Sequence, residues 1–339
     1  MTKTTNAPTE HVAFLLIDDF AQLAFANAIE PFRIANLVSG QPLYCWSLVA
    51  EDGEKAICSN GAVTLADRGL DPLTPGDRLF VISGSHVRER ISRPVLDFLR
   101  RERRRGVQLG GICSGAYILA KAGLLDGLSC AMHWAFHDAF VEEFSEVALQ
   151  RTVFVGNEPV VTASGGPAAA DLMLHLIAQT HGGELATEVA DQMVYNTVRS
   201  DDARQRLSFG PRLGFRSEAL NRAVREMEAH LEDTIPVSVL AERVGVSARQ
   251  LERLFGRHLN CSPKKYYLDL RLARGRNLLL QTDLSVQEIS IACGFSTSAN
   301  FTRAYRQTHG VTPTAERGVA PSAPPRPLAT RVRTESLAV

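Results

Sequence analysis

The first half of the chain alternates unbroken apolar runs with stretches of helical spacing. HVAFLLI (11–17) and the centre of DRLFVISG (77–84) are continuous apolar runs, which predict strands buried on both faces of a parallel sheet. Between them, Leu23, Ala26, Ala28, Phe32 and Ala35 recur at helical spacing in FAQLAFANAIEPFRIANLV. YCWSLVA (44–50) predicts a second strand, and hairpin-like pieces follow around Gly53 and Gly61. Val87 to Arg105 predicts one helix whose end, RRERRR, is expected to be solvated where cations meet the negative end of the helix dipole. Val107 to Ile112 predicts a strand running into Cys113 and a helix from Gly115 to Leu124. RTVFVG and EPVVTAS predict two more strands, with helices after Gly165-Gly166-Pro167 and over 184–198. This alternation across residues 11–180 predicts an α/β fold of flavodoxin-like type around a parallel sheet.

From Val237 to Pro313 the pattern changes to short helices, and it occurs twice. Gly245 pairs with Gly294 at an offset of 49. Leu251 with Phe301, Arg253 with Arg303, Phe255 with Tyr305 and Pro263 with Pro313 sit at an offset of 50. A repeat of this length is a supersecondary unit used twice. Each copy starts with a short helix carrying Val239, Leu240 and Val244, or Ile289, Ile291 and Ala292. A glycine follows, then a serine, Ser247 or Ser296, expected to cap the next helix. That helix buries Leu251, Leu254 and Phe255, or Phe301, Ala304 and Tyr305, and its other face is polar. The parts are those of a helix-turn-helix, whose second helix fits a DNA major groove.

Composition changes this picture at one place. The whole chain balances 37 basic against 37 acidic residues, but Arg243 to Arg276 holds nine Lys/Arg against Glu252 and Asp269. Inside a helix-turn-helix repeat this excess predicts a phosphate-facing surface. The six cysteines (45, 58, 113, 130, 261, 293) form no C-x-x-C pair and no metal-ligand spacing with the histidines, so free thiols and no metal are expected, as in a reducing cytosol. Cys45, Cys58, Cys261 and Cys293 read as core cysteines. The first ten residues lack the apolar core of a signal peptide, and no run approaches a membrane span, so a cytoplasmic protein is expected.

The two copies, joined by PKKYYLDLRLARGRNLLL, resemble the DNA-binding domain of the AraC/XylS family of bacterial regulators over roughly residues 218–317. IACGFSTSANFTRAYRQTHGVTP follows that family's signature closely. The resemblance implies that a monomer places two recognition helices in successive major grooves, spaced by a rigid helix from Pro263 to Gln281. By position in the family, Arg249, Glu252 and Arg253 of the first helix and Ser298, Asn300 and Arg303 of the second face DNA. Arginine there suits guanine O6 and N7, or a phosphate.

The second informative stretch is Gly111-Ile-Cys-Ser-Gly115, the cysteine form of a nucleophile elbow. It predicts a thiol at the carboxyl edge of the sheet and at a helix N-terminus, where thiolate is favoured. His133 and Trp134 lie twenty residues on. These features resemble the PfpI-type, glutamine-amidotransferase-like superfamily over roughly residues 11–195, and the order of domains resembles its GlxA-like regulators. In the superfamily's enzymes the elbow cysteine works with a histidine and a glutamate. Cys113 and His133 match as vestigial candidates, but the glutamate position falls near Ala24, beside Gln22 and Leu23, and holds no carboxylate; Glu30 is nearly two turns further on. No catalytic role is therefore expected.

The expected organisation is a disordered lead-in over 1–10, a PfpI-type sensing and dimerisation domain over 11–198, a linker over 199–217, the DNA-binding domain over 218–317 and a disordered tail over 318–339. The expected function is a sequence-specific DNA-binding regulator, an activator, of amino-acid or quaternary-amine metabolism. A small nitrogenous effector, arginine- or betaine-like, would sit at Cys113, Ser114, Gly115, His133 and Trp134, with Trp46 or Tyr117 as a further aromatic face. No cofactor is expected; the partners are promoter DNA, RNA polymerase and a second copy of the chain. The competing reading is a cysteine hydrolase or deglycase with an appended DNA-binding domain.

Overall fold

A computed structural model of the chain describes residues 9–205 and 217–318. The expected lead-in, the expected tail and most of the expected linker fall outside these residues. At their inner edges, Glu10 opens the first strand and Gly318 closes the last helix.

The apolar runs form one sheet. Its strands are β1 (Glu10–Leu16), β2 (Tyr44–Val49), β5 (Arg78–Ile82), β6 (Gln108–Ile112), β10 (Val160–Ala163) and β9 (Phe154–Val155), in the order β2-β1-β5-β6-β10-β9. All neighbours are parallel except β10 and β9. Alternate residues of each strand enter two separate cores. On one face Phe14 and Phe80 pack under α1 (Gln22–Ser39), α6 (Pro167–His181) and α7 (Gly183–Gln192). On the other, Leu15, Val81 and Leu109 meet α3 (Arg93–Arg104) and α4 (Gly115–Lys121). The expected parallel α/β fold is what forms. A β3–β4 hairpin (Lys55–Ile57, Val63–Leu65) lies apart from the sheet, as does a parallel pair, β7 (Ser129–Ala131) with β8 (Ala148–Gln150), that no sequence pattern announced.

The single helix expected over 87–105 is two, α2 (Val87–Arg90) and α3. Ser92 caps α3 by accepting from the Val95 N–H, and Pro94 lies in the first turn, where its missing N–H is not needed. The end of α3 is not simply solvated. Glu102 is fully buried there and accepts from the Leu73 N–H and from Arg101. Arg101 and Arg105 also donate to the Leu70 and Leu73 carbonyls, so the cluster straps the preceding loop to the helix. A buried carboxylate needs such partners.

The second body is helical: α8 (Glu218–Ala229), α9 (Val237–Arg243), α10 (Ala248–Leu259), α11 (Pro263–Gln281), α12 (Val286–Ala292), α13 (Ser298–His309) and α14 (Pro313–Gly318). It has two small cores, one under α8 to α10 and one under α11 to α13. Of the apolar positions that mark α12 in the sequence, Ile289 and Ala292 are buried and Ile291 is exposed.

No apolar cluster among the described residues spans both bodies. They meet through polar groups: Arg274 on Glu142 at 2.9 Å, Asn277 on Asp138 at 3.0 Å, Gln281 on the Ala135 carbonyl at 2.9 Å, and Arg88 on Asp283 at 2.9 Å. Asp138 and Glu142 belong to α5 (His137–Glu143). A seam of this kind is of the reversible, inter-domain type. Arg274 Nε and Gln281 Oε1 are buried in it without partners.

Candidate functional site

The elbow is built by glycine. A Cβ at Gly111 would lie 2.8 Å from the Ala116 nitrogen, and one at Gly115 would lie 2.1 Å from the Val81 carbonyl oxygen. Only glycine lets α4 start so close to β5. Between them Cys113 takes a left-handed backbone, φ 62°, a strained position for a residue with a side chain. Its N–H donates to the Ala163 carbonyl, tying it to β10. Gly165, itself at φ 93°, passes so close that a Cβ would lie 2.8 Å from the Cys113 Cβ.

Burial works against the expected thiolate. Cys113 is buried, and burial pushes its thiol up to about 11, against a smaller opposing pull from the Ser114 N–H. Desolvation outweighs the dipole of a helix of only seven residues. Ser114 is also fully buried, and its hydroxyl donates to the Gly84 carbonyl at 2.6 Å, so it ties the elbow to the loop after β5.

His133 and Trp134 stand at the same edge. The His133 N–H donates to the Cys113 carbonyl at 3.3 Å. Its Nδ1 accepts from the Ala135 N–H at 3.3 Å, which leaves the ring proton on Nε2. Burial lowers its pKa, so the ring is neutral at physiological pH. Trp134 begins a short 3-10 turn (Trp134–Phe136), is 43% exposed, and lies 5.4 Å from the His133 ring. It is a surface wall rather than core.

Other expected walls are not brought here. Tyr117 is buried and donates its hydroxyl to Glu143, lining a cleft of about 390 Å³ between the two bodies with Arg88, Gln281 and Arg317. Trp46 lies on edge strand β2 opposite Val12, well before the carboxyl end of the sheet. Glu30 pairs with Arg33 on the outer surface of α1. Ala24 is buried, and Leu23 reaches to the Gly166 backbone.

Sequence reasoning missed a pair. Asp19 holds His86 through a close side-chain hydrogen bond across 67 residues. Asp19 has φ 69° and follows β1; His86 follows β5. A Cβ at Gly84 would lie 1.9 Å from the Asp19 carbonyl oxygen, so the two loops touch. They flank the point where strand order reverses, the usual ligand crevice of such sheets. Ser83 Oγ and Gln22 Oε1 are buried near these strand ends without partners. The available signal was the acidic Asp18-Asp19 directly after an apolar run.

The remaining cysteines divide. Cys58 and Cys293 are buried as expected, but Cys45 is exposed and Cys261 partly so. Among the described residues no group of three His, Cys, Asp or Glu is placed to hold a metal, and no helix is long and apolar enough to cross a membrane.

In the second body, Arg249, Glu252 and Arg253 lie exposed on α10, and Ser298, Asn300 and Arg303 lie exposed on α13. Leu251 and Phe255, and Phe301 and Tyr305, are the buried faces. Ser247 caps α10 with a full capping box through Gln250. The second cap is Thr297, not Ser296: Thr297 accepts from the Asn300 N–H at 3.2 Å. The extra residue of the second copy therefore lies ahead of its cap. A hollow of about 860 Å³ beside α13 is lined by Ser298, Thr302, Arg303 and Arg306. The basic run is only partly free. Arg271 and Arg274 are turned into contacts, while Lys265 and Arg276 pair with Asp269 and Glu316.

Comparison with known proteins matches both bodies. The DJ-1/PfpI family pattern covers residues 10–179, and a helix-turn-helix domain pattern covers 240–318. The HTH-type transcriptional regulator CdhR of Pseudomonas aeruginosa is 42% identical over 308 residues, 91% of each chain. GbdR of the same species, also named an HTH-type transcriptional regulator, is 39% identical over 94% of this chain and 87% of its own. GlxA of Rhizobium meliloti, another such regulator, is 34% identical over 90% of this chain and 94% of its own. A THiJ/PfpI family protein from Pseudomonas syringae shares the fold, with TM-score 0.51 and 18% identity over 68% of this chain and 90% of its own.

Proposed function

Because the chain belongs to the AraC-type helix-turn-helix transcriptional regulators that carry a DJ-1/PfpI domain, and so is a DNA-binding regulator controlled by an effector, we propose that its effector is a small cationic nitrogen compound held at the elbow edge. The observation that carries this is the aromatic Trp134, 43% exposed beside a neutral His133, at the same end of the sheet as the orphan polar atoms Gln22 Oε1 and Ser83 Oγ. An aromatic face attracts a cation, and unpartnered buried acceptors favour one that bears N–H groups. Arginine satisfies both; a betaine satisfies the first. Cys113 and Gly115 shape the floor, and Ser114 supports it from below.

The route to DNA runs through the short turn that carries Trp134. Its Ala135 carbonyl accepts from Gln281 at the end of α11, the helix joining the two DNA-reading units. A ligand that shifts Trp134 shifts this acceptor. On this reading Arg249, Glu252 and Arg253 enter one major groove and Ser298, Asn300 and Arg303 the next. α11, of 19 residues and about 28 Å, holds the two units apart on the scale of the repeat of about 34 Å between grooves on one DNA face. The chain works in the bacterial cytoplasm as a homodimer and activates transcription with RNA polymerase, which sedimentation and run-off transcription test. The domain limits are 11–198 and 218–317.

Thermal-shift measurements with L-arginine and with glycine betaine test the pocket. Wild type is expected to gain stability with at least one, and Trp134→Ala to lose that gain. No shift with either compound removes the reading. The hydrolase alternative requires a reactive thiolate. Alkylation of Cys113 by iodoacetamide is expected to rise only as pH approaches about 11. A midpoint near neutrality restores the enzyme reading.

A further inference from the structure

The repeat extends further than its helix-turn-helix parts, and the extension carries a pair of arginines. Arg222 on α8 and Arg271 on α11 are 49 residues apart, the same offset as Gly245 and Gly294. Arg222 Nη2 donates to the Val244 carbonyl at 3.0 Å. Arg271 Nε donates to the Cys293 carbonyl at 2.7 Å, and its Nη2 to the Gly294 carbonyl. Val244 and Cys293 are again 49 apart, and each is the C-cap of the first helix of its motif. Both are buried. A helix end leaves carbonyls without intrahelical partners, and buried ones need a donor. In both copies the donor is an arginine from the preceding helix, at the point where the chain turns toward the recognition helix.

We propose that Arg222 and Arg271 are positioning residues for DNA recognition: each braces the turn of its own motif and so sets the angle at which α10 or α13 meets the groove. Neither touches DNA in this role. The two braces are unequal. Arg271 grips two successive carbonyls and lies over the Phe295 ring, 4.1 Å from its centroid. A planar guanidinium makes both contacts at once; an ammonium does not. Arg222 makes one bond, from a more exposed position. The second recognition helix is therefore the more firmly aimed.

The test uses the full chain and a duplex selected by the wild-type protein from random sequence. Affinity is measured for that duplex, for its single-base variants and for scrambled DNA at two salt concentrations. Arg271→Lys is expected to lower affinity for the selected duplex roughly tenfold and to flatten base preference in one half-site only, with scrambled binding and its salt dependence unchanged. Arg222→Lys should flatten the other half-site, with a smaller loss. A purely structural role weakens both half-sites and scrambled DNA together, and that result overturns the proposal. So does full base discrimination in both variants. Should Arg271→Lys lose its helical circular dichroism, Arg222→Lys decides by the same half-site criterion.

Discussion

The two helix-turn-helix copies share a pattern but not an environment. The apolar face of the first, α9 and α10, packs on α8 and the start of α11. The second, α12 and α13, packs on the part of α11 that is also pinned to α5 of the sensing body. Shifting the pinned positions back by 49 residues explains the choice. Arg274, Asn277 and Gln281 correspond to Arg225, Glu228 and Glu232. The first copy thus offers two carboxylates where the second offers two amides, and α5 presents Asp138 and Glu142. Like charges at Glu228 and Glu232 disfavour the first copy in the seam, whereas the amides of Asn277 and Gln281 suit the second; the arginine is common to both. Duplication supplied the architecture, and two substitutions, at the positions of Asn277 and Gln281, distinguish the copy that meets α5.

The sharpest way to break this comparison is at the paired glycines. Gly245 and Gly294 both have left-handed backbones, φ 74° and 70°. Space separates them. A Cβ at Gly245 meets nothing within 4 Å, but one at Gly294 would lie 2.4 Å from the Glu232 carbonyl oxygen and 2.7 Å from that of Leu231. Gly245→Ala should cost about 1 kcal/mol, the backbone strain alone. Gly294→Ala must also push the two copies apart and should cost about 3 kcal/mol or more. Urea unfolding followed by helical circular dichroism measures both. Equal losses would mean that the copies do not depend on this contact.

Next in size is the comparison of the equivalent arginines Arg253 and Arg303, proposed to meet DNA. Arg303 Nη2 lies 3.3 Å from Asn300 Oδ1, and Asn300 is itself held at the Thr297 cap. Arg253 has no such neighbour bond among the described residues. A preordered side chain loses less freedom on binding. Arg303→Ala is expected to cost about 2–3 kcal/mol of affinity and Arg253→Ala about 1 kcal/mol, each relaxing preference at one base pair. Gel shifts against scrambled duplex at two salt concentrations check this. A loss equal on all sequences would assign the residue to a phosphate instead.

These contrasts also mark what was legible in the chain. Periodic and local signals were: the apolar runs of β1 and β5, the G-x-C-x-G turn, the repeated glycines and the exposed faces of α10 and α13. What escaped was fixed by partners distant in sequence. Nothing near Glu102 says that it will be buried on Leu73, and Asp19 finds His86 only because β1 and β5 are neighbours. The thiol of Cys113 shows the same limit. The motif and the helix start were local, but the burial that raises its pKa comes from the surrounding sheet and loops. The Thr297 cap was lost to a one-residue insertion that shifted the local register.

The contrast at the seam, smaller than that between the paired glycines, sharpens the comparison most directly. Arg274 and Glu142 are 17% and 28% exposed, so their pair lies between a surface bridge and a buried one. Arg274→Glu removes it and brings like charges together, at a cost to seam closure of about 1–2 kcal/mol. Hydrogen exchange should then quicken over 134–143 and 274–281. It should do so without change in α8 to α10, because no seam contact reaches them. The equivalent change in the first copy, Arg225→Glu, should leave all these segments as they are, since Arg225 faces solvent. Combining Arg274→Glu with Glu142→Arg restores the pair in reverse and should restore protection. Raising salt should mimic the single variant in wild type, as expected of contacts between charges that water still reaches. Unchanged exchange in Arg274→Glu would leave the two copies equivalent toward the sensing body. The effector would then have to act by a route that does not cross this seam, whether or not the pocket at Trp134 binds arginine.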